Sequence, residues 1–244
     1  MEEWIQLQLR ERRQPVGSRG LMWQRWLDLL FLHWPVDPAV VQRTLPPGLS
    51  VDLYEGMAWI GLVPFCMRKV RTVVLPSLSS NFLEVNLRTY VRDHNGVPGV
   101  WFYSLDANHP FAVWTARLIF GLPYQHAKMR VDSKNREIKY SSQRCGSSTV
   151  QEYRFRPSDH LGEAKIGSLE FFLIERYRLF SVRRSQLLTG RVYHTPYDLR
   201  KAVVSHFDNF LFKLDGLETP PEPPHNILYA ARVDVTIYPG AEVR

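Results

Sequence analysis

Phe82-Leu83-Glu84-Val85-Asn86-Leu87-Arg88-Thr89-Tyr90-Val91, then Asp93-His94-Asn95-Gly96, then Val100 to Asp106, reads as two strands joined by a tight turn. An Asn-Gly pair between strand-like runs is a strong local hairpin signal, because a two-residue hairpin turn needs positive φ. The first run alternates. Leu83, Val85, Leu87 and Val91 face one side, and Phe82, Glu84, Asn86, Arg88 and Tyr90 face the other. The first side is a plain core face. The second carries an acid, an amide and a base between two aromatics. Such a face is either the wall of a polar cavity or the outer side of a half-exposed sheet. On this stretch alone the outer side carries more weight, since polar residues facing outward are the norm in antiparallel sheets.

Outward from this hairpin the same pattern repeats. Ser50 to Tyr54 and Met57 to Arg71 read as a further hairpin around Glu55-Gly56. Strands are expected at Ala127 to Val131, Glu137 to Ser142, Val150 to Arg156, Leu187 to Tyr193 and Asn226 to Tyr238. Asp37 before Pro38 fits an N-cap with proline at the first helical position, predicting a short helix near Ala39 to Thr44. His109 to Phe120 has apolar residues at helical spacing, with Gly121 as its stop. Gly167 to Phe180 reads as a helical start passing into a strand, and Thr195 to Ala202 as a loop followed by a helix. Residues 1–20 form a polar N-terminal arm, loose or helical, and 21–244 a single domain. Residues 216–225 are rich in proline and read as a stiff surface connection.

At 244 residues, with 45% hydrophobic and 23% charged side chains, the chain can bury its own core. The net charge is +7. Its Lys and Arg are dispersed and no RNP-like, zinc-finger or helix-turn-helix pattern accompanies them, so no nucleic-acid partner is expected. No apolar run approaches the ~20 residues that span a bilayer, and the N-terminus lacks the apolar core of a secretory signal. The expected location is cytoplasmic, with no membrane partner. Cys66 and Cys145 lie far apart and match no metal or redox spacing; both thiols are expected reduced, with a disulfide between them left open.

Glu175-Arg176-Tyr177-Arg178 sets charges inside an apolar stretch. Buried charges must be paired, so this cluster sits on a rim or pairs within a site. His33 lies between Leu32 and Trp34 and is expected to be buried and neutral. There is no H-E-x-x-H pair, no G-x-S-x-G elbow and no glycine-rich phosphate loop. Neither a metal nor a cofactor is expected.

Thr115-Ala116-Arg117-Leu118-Ile119-Phe120-Gly121-Leu122-Pro123-Tyr124-Gln125-His126-Ala127 resembles the signature of the acetoacetate decarboxylases, in which a helix end is followed by Gly-Phe-Pro-Lys-Lys. Phe82-Leu83-Glu84 resembles that family's acid-bearing strand, and Leu45-Pro46-Pro47-Gly48 its early turn. From Leu21 to Tyr238 the chain more closely resembles the YqjF-like bacterial proteins, a family of no assigned function within the acetoacetate-decarboxylase-like superfamily. The resemblance rests on the runs Tyr54 to Phe65, Glu84 to Val91, Leu122-Pro123-Tyr124 and Glu175-Arg176-Tyr177. It implies a mainly β chain: a closed, cone-like antiparallel barrel with a central cavity and a few peripheral helices.

The decarboxylase nucleophile is a lysine that forms a Schiff base, its pKa lowered by a neighbouring cation. The matching positions here are Tyr124 and Gln125. Tyrosine forms no imine and glutamine carries no charge, so Schiff-base decarboxylation is not expected. Glu84 matches the family's acid. Three readings follow. One is an enzyme on a small carbonyl or carboxylate compound, with Glu84 as acid or base and Tyr124 as donor. Asn86, Arg88, Arg117, His33, Arg176 and Tyr177 then serve as ligand-binding residues. A second is a barrel that binds a small ligand without chemistry. A third is a protein-interaction module. A homo-oligomer is left open.

Overall fold

The computed structural model describes residues 3–15, 18–73, 77, 79–110, 121–134 and 136–243. Among them are twelve strands. β1 (Met22–Val36), β2 (Leu49–Val51), β3 (Ala58–Thr72), β4 (Ser80–Asp93), β5 (Pro98–Ala107) and β6 (Tyr124–Lys134) come first. β7 (Glu137–Arg144), β8 (Gln151–Gly162), β9 (Arg178–Arg183), β10 (Gln186–His194), β11 (Leu199–Phe207) and β12 (Asn226–Glu242) follow. The described helices are short: α1 (Glu3–Glu11), α2 (Pro38–Gln42), α3 (Leu169–Ile174) and α4 (Phe210–Leu214).

All twelve strands belong to one sheet, which closes on itself. It does so in two loops, because β5 and β12 each change partner along their length. β5 pairs with β9 at Val100 and Trp101, and with β6 at Leu105 to Ala107. β12 pairs with β11 at Leu228 to Ala230, and with β10 from Val235 onward. One ring therefore runs β1-β3-β4-β5-β9-β10-β12, and the other runs through β6, β7, β8 and β11. The shared strands are buried on both faces. That is why β3 is buried without a break from Ala58 to Met67.

Each shared strand deals alternate residues to two cores. Phe31, Val63, Phe65 and Phe82 enter one; Leu32, Leu62, Val85 and Leu87 enter the other. Burying such a side chain contributes about 1.5–3 kcal/mol. β1 changes phase at a bulge: Asp28 has φ 53°, and the pairing with β3 shifts between Leu27 and Leu32. The extra residue lets Met22, Gln24 and Trp26 share a face with Leu29 and Phe31.

Closure and strand richness agree with the sequence-based expectation, but the barrel is not purely antiparallel. β5–β6 and β5–β9 are parallel pairs. Parallel neighbours need a crossover connection, and the chain between Ala107 and Tyr124 is long enough to supply one. The β4–β5 hairpin forms as expected, with Asp93 Oδ1 accepting from the amides of Asn95 and Val97 at 2.9 Å each. The expected hairpin around Glu55-Gly56 shrinks to one bridge, Tyr54 to Met57, and β2 pairs with β4 instead. Asp37 caps α2, accepting from the Ala39 amide at 2.7 Å. Thr195 to Ala202 is not a loop running into a helix; Leu199–Phe207 is strand β11, held between β8 and β12. The helix expected over His109 to Phe120 lies, across 111–120, outside the described residues.

The N-terminal arm is helical and docked. Trp4 packs on Tyr54, Phe171 and Phe172. Gln8 donates to the carbonyls of Phe171 (2.8 Å) within α3 and of Glu175 (2.6 Å) at its C-cap. Residues 216–225 carry no helix or strand, yet the stretch is anchored: Trp34 Nε1 donates to the Glu222 carbonyl at 3.0 Å. Cys66 and Cys145 are both free. No described helix is long and apolar enough to cross a membrane.

Candidate functional site

The ring of β1, β3, β4, β5, β9, β10 and β12 encloses a cavity of about 130 Å³. Glu84, Asn86 and Arg88, the polar face read from the β4 alternation, line it. That face is therefore the wall of a cavity and not a half-exposed outer side. The wall from β1 and β3 is apolar apart from Gln24, whose side-chain carbonyl accepts from Trp26 Nε1 at 2.7 Å.

Glu84 is 2% exposed. Its Oε2 accepts from the Tyr124 hydroxyl at 2.7 Å, and its Oε1 accepts from Asn86 Nδ2 at 3.3 Å. Its backbone carbonyl accepts from Tyr140 on the far side of β4 at 2.9 Å, so the strand is pinned from both cores. Burial pushes the Glu84 carboxyl up to about 7, against the opposing hydrogen bonds from Tyr124 and Asn86. Burial, and then the carboxyl beside it, hold the Tyr124 hydroxyl well above its ordinary value. Tyr124 therefore acts as a proton-bearing donor.

Tyr124 reaches this place through Gly121-Leu122-Pro123. Gly121 has φ +63°, and a Cβ there would meet the Val182 carbonyl oxygen at 2.9 Å. Both facts require glycine. The Leu105 amide then donates to the Pro123 carbonyl at 3.2 Å, starting the parallel pair that carries Tyr124 to the cavity.

Three arginines line the cavity, and Arg178 is paired with Glu11. Arg176 Nη1 pairs with Asp52 Oδ2 at 2.6 Å, Nε donates to the Phe172 carbonyl at 2.7 Å, and the guanidinium lies 4.2 Å from the Phe172 ring centre. Asp52 is shared with Arg92, also at 2.6 Å. Burial lowers the Arg176 pKa while Asp52 opposes the shift. Arg88 makes no ion pair among the described residues; its guanidinium stands 5.8 Å from the ring centres of both Phe31 and Tyr90. Three buried polar atoms on these lining residues have no hydrogen-bond partner among the described residues: Asn86 Oδ1, Arg88 Nε and Arg176 Nη2. Buried polar atoms are normally satisfied.

His33 and Tyr177 do not line the cavity; each stands behind residues that do. His33 is fully buried, held neutral with its pKa lowered to about 3 by burial and then by Arg88. Its Nε2 accepts from the Tyr90 hydroxyl at 2.8 Å, and its Nδ1 faces Asn226 Oδ1 at 3.3 Å. Gly61 makes room for this pair, since a Cβ there would lie 2.9 Å from His33 Cδ2. The Tyr177 hydroxyl donates to Glu175 Oε2, and its ring stacks on His194. Arg117 lies outside the described residues.

Three contributors carry no signal in the sequence. His194 and Tyr197 line the cavity with ring centres 4.6 Å apart, and burial lowers His194 to about 4. Asp52 is the counter-ion of Arg176 yet lies in a segment with no motif. The arrangement offers a buried carboxyl that titrates near neutrality, a hydroxyl donor, an excess of positive charge and apolar walls. No lysine is among the described residues that line it.

The model of the family DUF2071, uncharacterized conserved protein, matches residues 23–234. The chain is 36% identical over 222 residues to the uncharacterized protein YqjF of Bacillus subtilis (strain 168), spanning 90% of this chain and 91% of that one. Among solved structures it is similar to the enduracididine biosynthesis enzyme MppR complexed with pyruvate, with 14% identity, TM-score 0.65, and 94% and 93% of the two chains covered. It is also similar to acetoacetate decarboxylase from Legionella pneumophila subsp. pneumophila, with 16% identity, TM-score 0.61, and 95% and 91% covered. At these identities the structural likeness is one of fold.

Proposed function

Since the chain belongs to the DUF2071 family of uncharacterized conserved proteins and has the acetoacetate decarboxylase-like fold, we propose that its cavity binds a small carboxylate or carbonyl compound. In this reading Arg88 and Arg176 hold the anion, and Glu84 exchanges a proton with the ligand while Tyr124 donates to it or to Glu84. The observation that carries the proposal is Arg88: a half-buried cation lining the cavity, with no ion pair among the described residues and only the raised carboxyl of Glu84 near it. A charge drawn partly out of water without a counter-ion is costly, and an anionic ligand would offset that cost.

Acid–base chemistry rather than passive binding is favoured by Glu84. A carboxyl raised to about 7 can give or take a proton near neutral pH. Imine chemistry is not part of the proposal. Tyr124 and Gln125 occupy the positions that resemble the decarboxylase lysines, and the described lining holds no lysine. The pyruvate complex of MppR bears on this chain only as an analogy of fold.

The test is native mass spectrometry of the purified protein for a retained small molecule, followed by calorimetric titration with small carboxylates. Arg88→Met is expected to weaken carboxylate binding by about tenfold or more, as for a charge-assisted hydrogen bond. Unchanged binding in Arg88→Met sinks the anion assignment. If Glu84→Gln and Tyr124→Phe retain the ligand and no turnover of it is found with the wild type, the cavity is a binding site only.

A further inference from the structure

The cavity's unpaired atoms differ in kind, and the difference constrains the ligand. Arg88 Nε and Arg176 Nη2 are donors, whereas Asn86 Oδ1 is an acceptor. Asn86 is 4% exposed and Arg176 6% exposed. The other groups near Asn86 do not satisfy its oxygen: Tyr124 spends its hydroxyl on Glu84 Oε2, and the Asn86 amide nitrogen is spent on Glu84 Oε1. A ligand that offered only oxygens would answer the arginines and leave Asn86 Oδ1 dry and unpaired. The ligand therefore needs a hydrogen-bond donor as well as an anion. The rest of the wall limits it further. Leu29, Phe31, Val63, Phe65 and Leu105 are buried and apolar, and the further arginine of the lining, Arg178, is already paired with Glu11, so a second charge on the ligand directed at the β1 and β3 wall would meet hydrocarbon.

Resting on the proposed binding of a small carboxylate, we infer that the ligand is a monocarboxylic acid bearing a hydroxyl close to the carboxylate and a short apolar substituent. The carboxylate takes the two arginine donors. The hydroxyl donates to Asn86 Oδ1 and leaves its own oxygen free to accept. The substituent lies against the β1 and β3 wall. An apolar cavity of ~150 Å³ accommodates benzene, so a cavity of about 130 Å³ suits a ligand of a similar size class.

The experiment is calorimetric titration of the full chain with three matched sets of acids. These are lactate, pyruvate and propionate; 2-hydroxybutyrate, 2-oxobutyrate and butyrate; and 2-hydroxy-4-methylpentanoate with its oxo and unsubstituted counterparts. The hydroxy acid is expected to bind about tenfold more tightly than either partner in its set, the effect of one buried hydrogen bond. Affinity is expected to rise about threefold to fourfold per added methylene until the cavity is full. Malate, with its second charge, is expected to bind more weakly than 2-hydroxybutyrate.

In Asn86→Val the advantage of the hydroxyl should vanish while butyrate binds as before, a split that a general loss of structure would not produce. Should that variant not fold, the wild-type rank order decides alone. Oxo or unsubstituted acids binding as tightly as the hydroxy acids overturn this inference and leave the carboxylate proposal standing. Absence of binding by every acid in all three sets overturns both.

Discussion

The Tyr124 hydroxyl donates to Glu84 Oε2 across 2.7 Å, although β6 and β4 are not neighbours but flank β5. The contact passes over β5 because the sheet curves into a ring and Tyr124 is the first residue of its strand. It brings a carboxyl and a phenol together out of solvent, each under a tenth exposed, and the titration of Glu84 follows from that burial.

Glu84 should imprint a pH dependence on stability. Its folded value of about 7 lies above its ordinary 4.5, so between those values the folded chain binds more protons than the unfolded one. Its contribution to stability is full at low pH and is lost as pH rises through that window, by at most about 1.4 kcal/mol per pH unit. Glu84→Gln removes this slope. Denaturant unfolding of both proteins from pH 5 to 8 should show the wild type losing ground to the variant up to about pH 7, then a constant difference. A difference that is flat throughout contradicts the burial argument.

His33 and His194 act in the opposite sense. Their folded values of about 3 and about 4 lie below the ordinary 6.5, so stability from these two is present above 6.5 and lost as pH falls toward 4 and 3. Their ring proton resonances are expected to stay unshifted from pH 8 to 5. A titration midpoint near 6.5 for either ring would show that it is not enclosed as described.

Asp52 neutralises Arg176, which is 6% exposed. Asp52→Asn leaves a buried guanidinium without its counter-ion, and a loss of about 3–5 kcal/mol is expected from chemical denaturation. Arg92→Met removes the other, partly exposed partner of Asp52 and should cost far less, roughly 0–1 kcal/mol. Equal costs would mean that the buried pair does not dominate the cluster.

Gly61→Ala inserts a methyl 2.9 Å from His33 Cδ2 and 3.2 Å from the Tyr90 hydroxyl. All three are confined, so a loss of about 1–3 kcal/mol is expected, typical of overpacking. Thermal unfolding measures it. Indifference to the change would show that the His33–Tyr90 hydrogen bond can shift without strain.

Much of the strand content was legible because it is local. The β4 alternation separated Glu84, Asn86 and Arg88 from Leu83, Val85 and Leu87, and the Asn95-Gly96 turn placed β5. Pairing between distant segments leaves no such local mark. β11 differs from the loop and helix expected over Thr195 to Ala202 because Leu199 to Phe207 fully buries only Leu199 and is fixed as a strand by its partners β8 and β12. The Glu55-Gly56 turn is present, with φ of 50° and 80°, but nothing nearby reveals that β2 prefers β4.

By itself the sequence determined which residues share a strand face, that Asn95-Gly96 turns the chain between two strands, and which residues stand at the decarboxylase-like positions, Tyr124 and Gln125. These depend on backbone period and side-chain identity, which are properties of short stretches. Only the tertiary structure decided that the polar face of β4 looks inward, that Asp52 reaches Arg176 across 124 positions of chain, and that His194 and Tyr197 complete the cavity. An alternating strand is equally compatible with solvent or an enclosure outside its polar face. Closure of the sheet through the split partners of β5 and β12 removes the solvent, and with it the ambiguity.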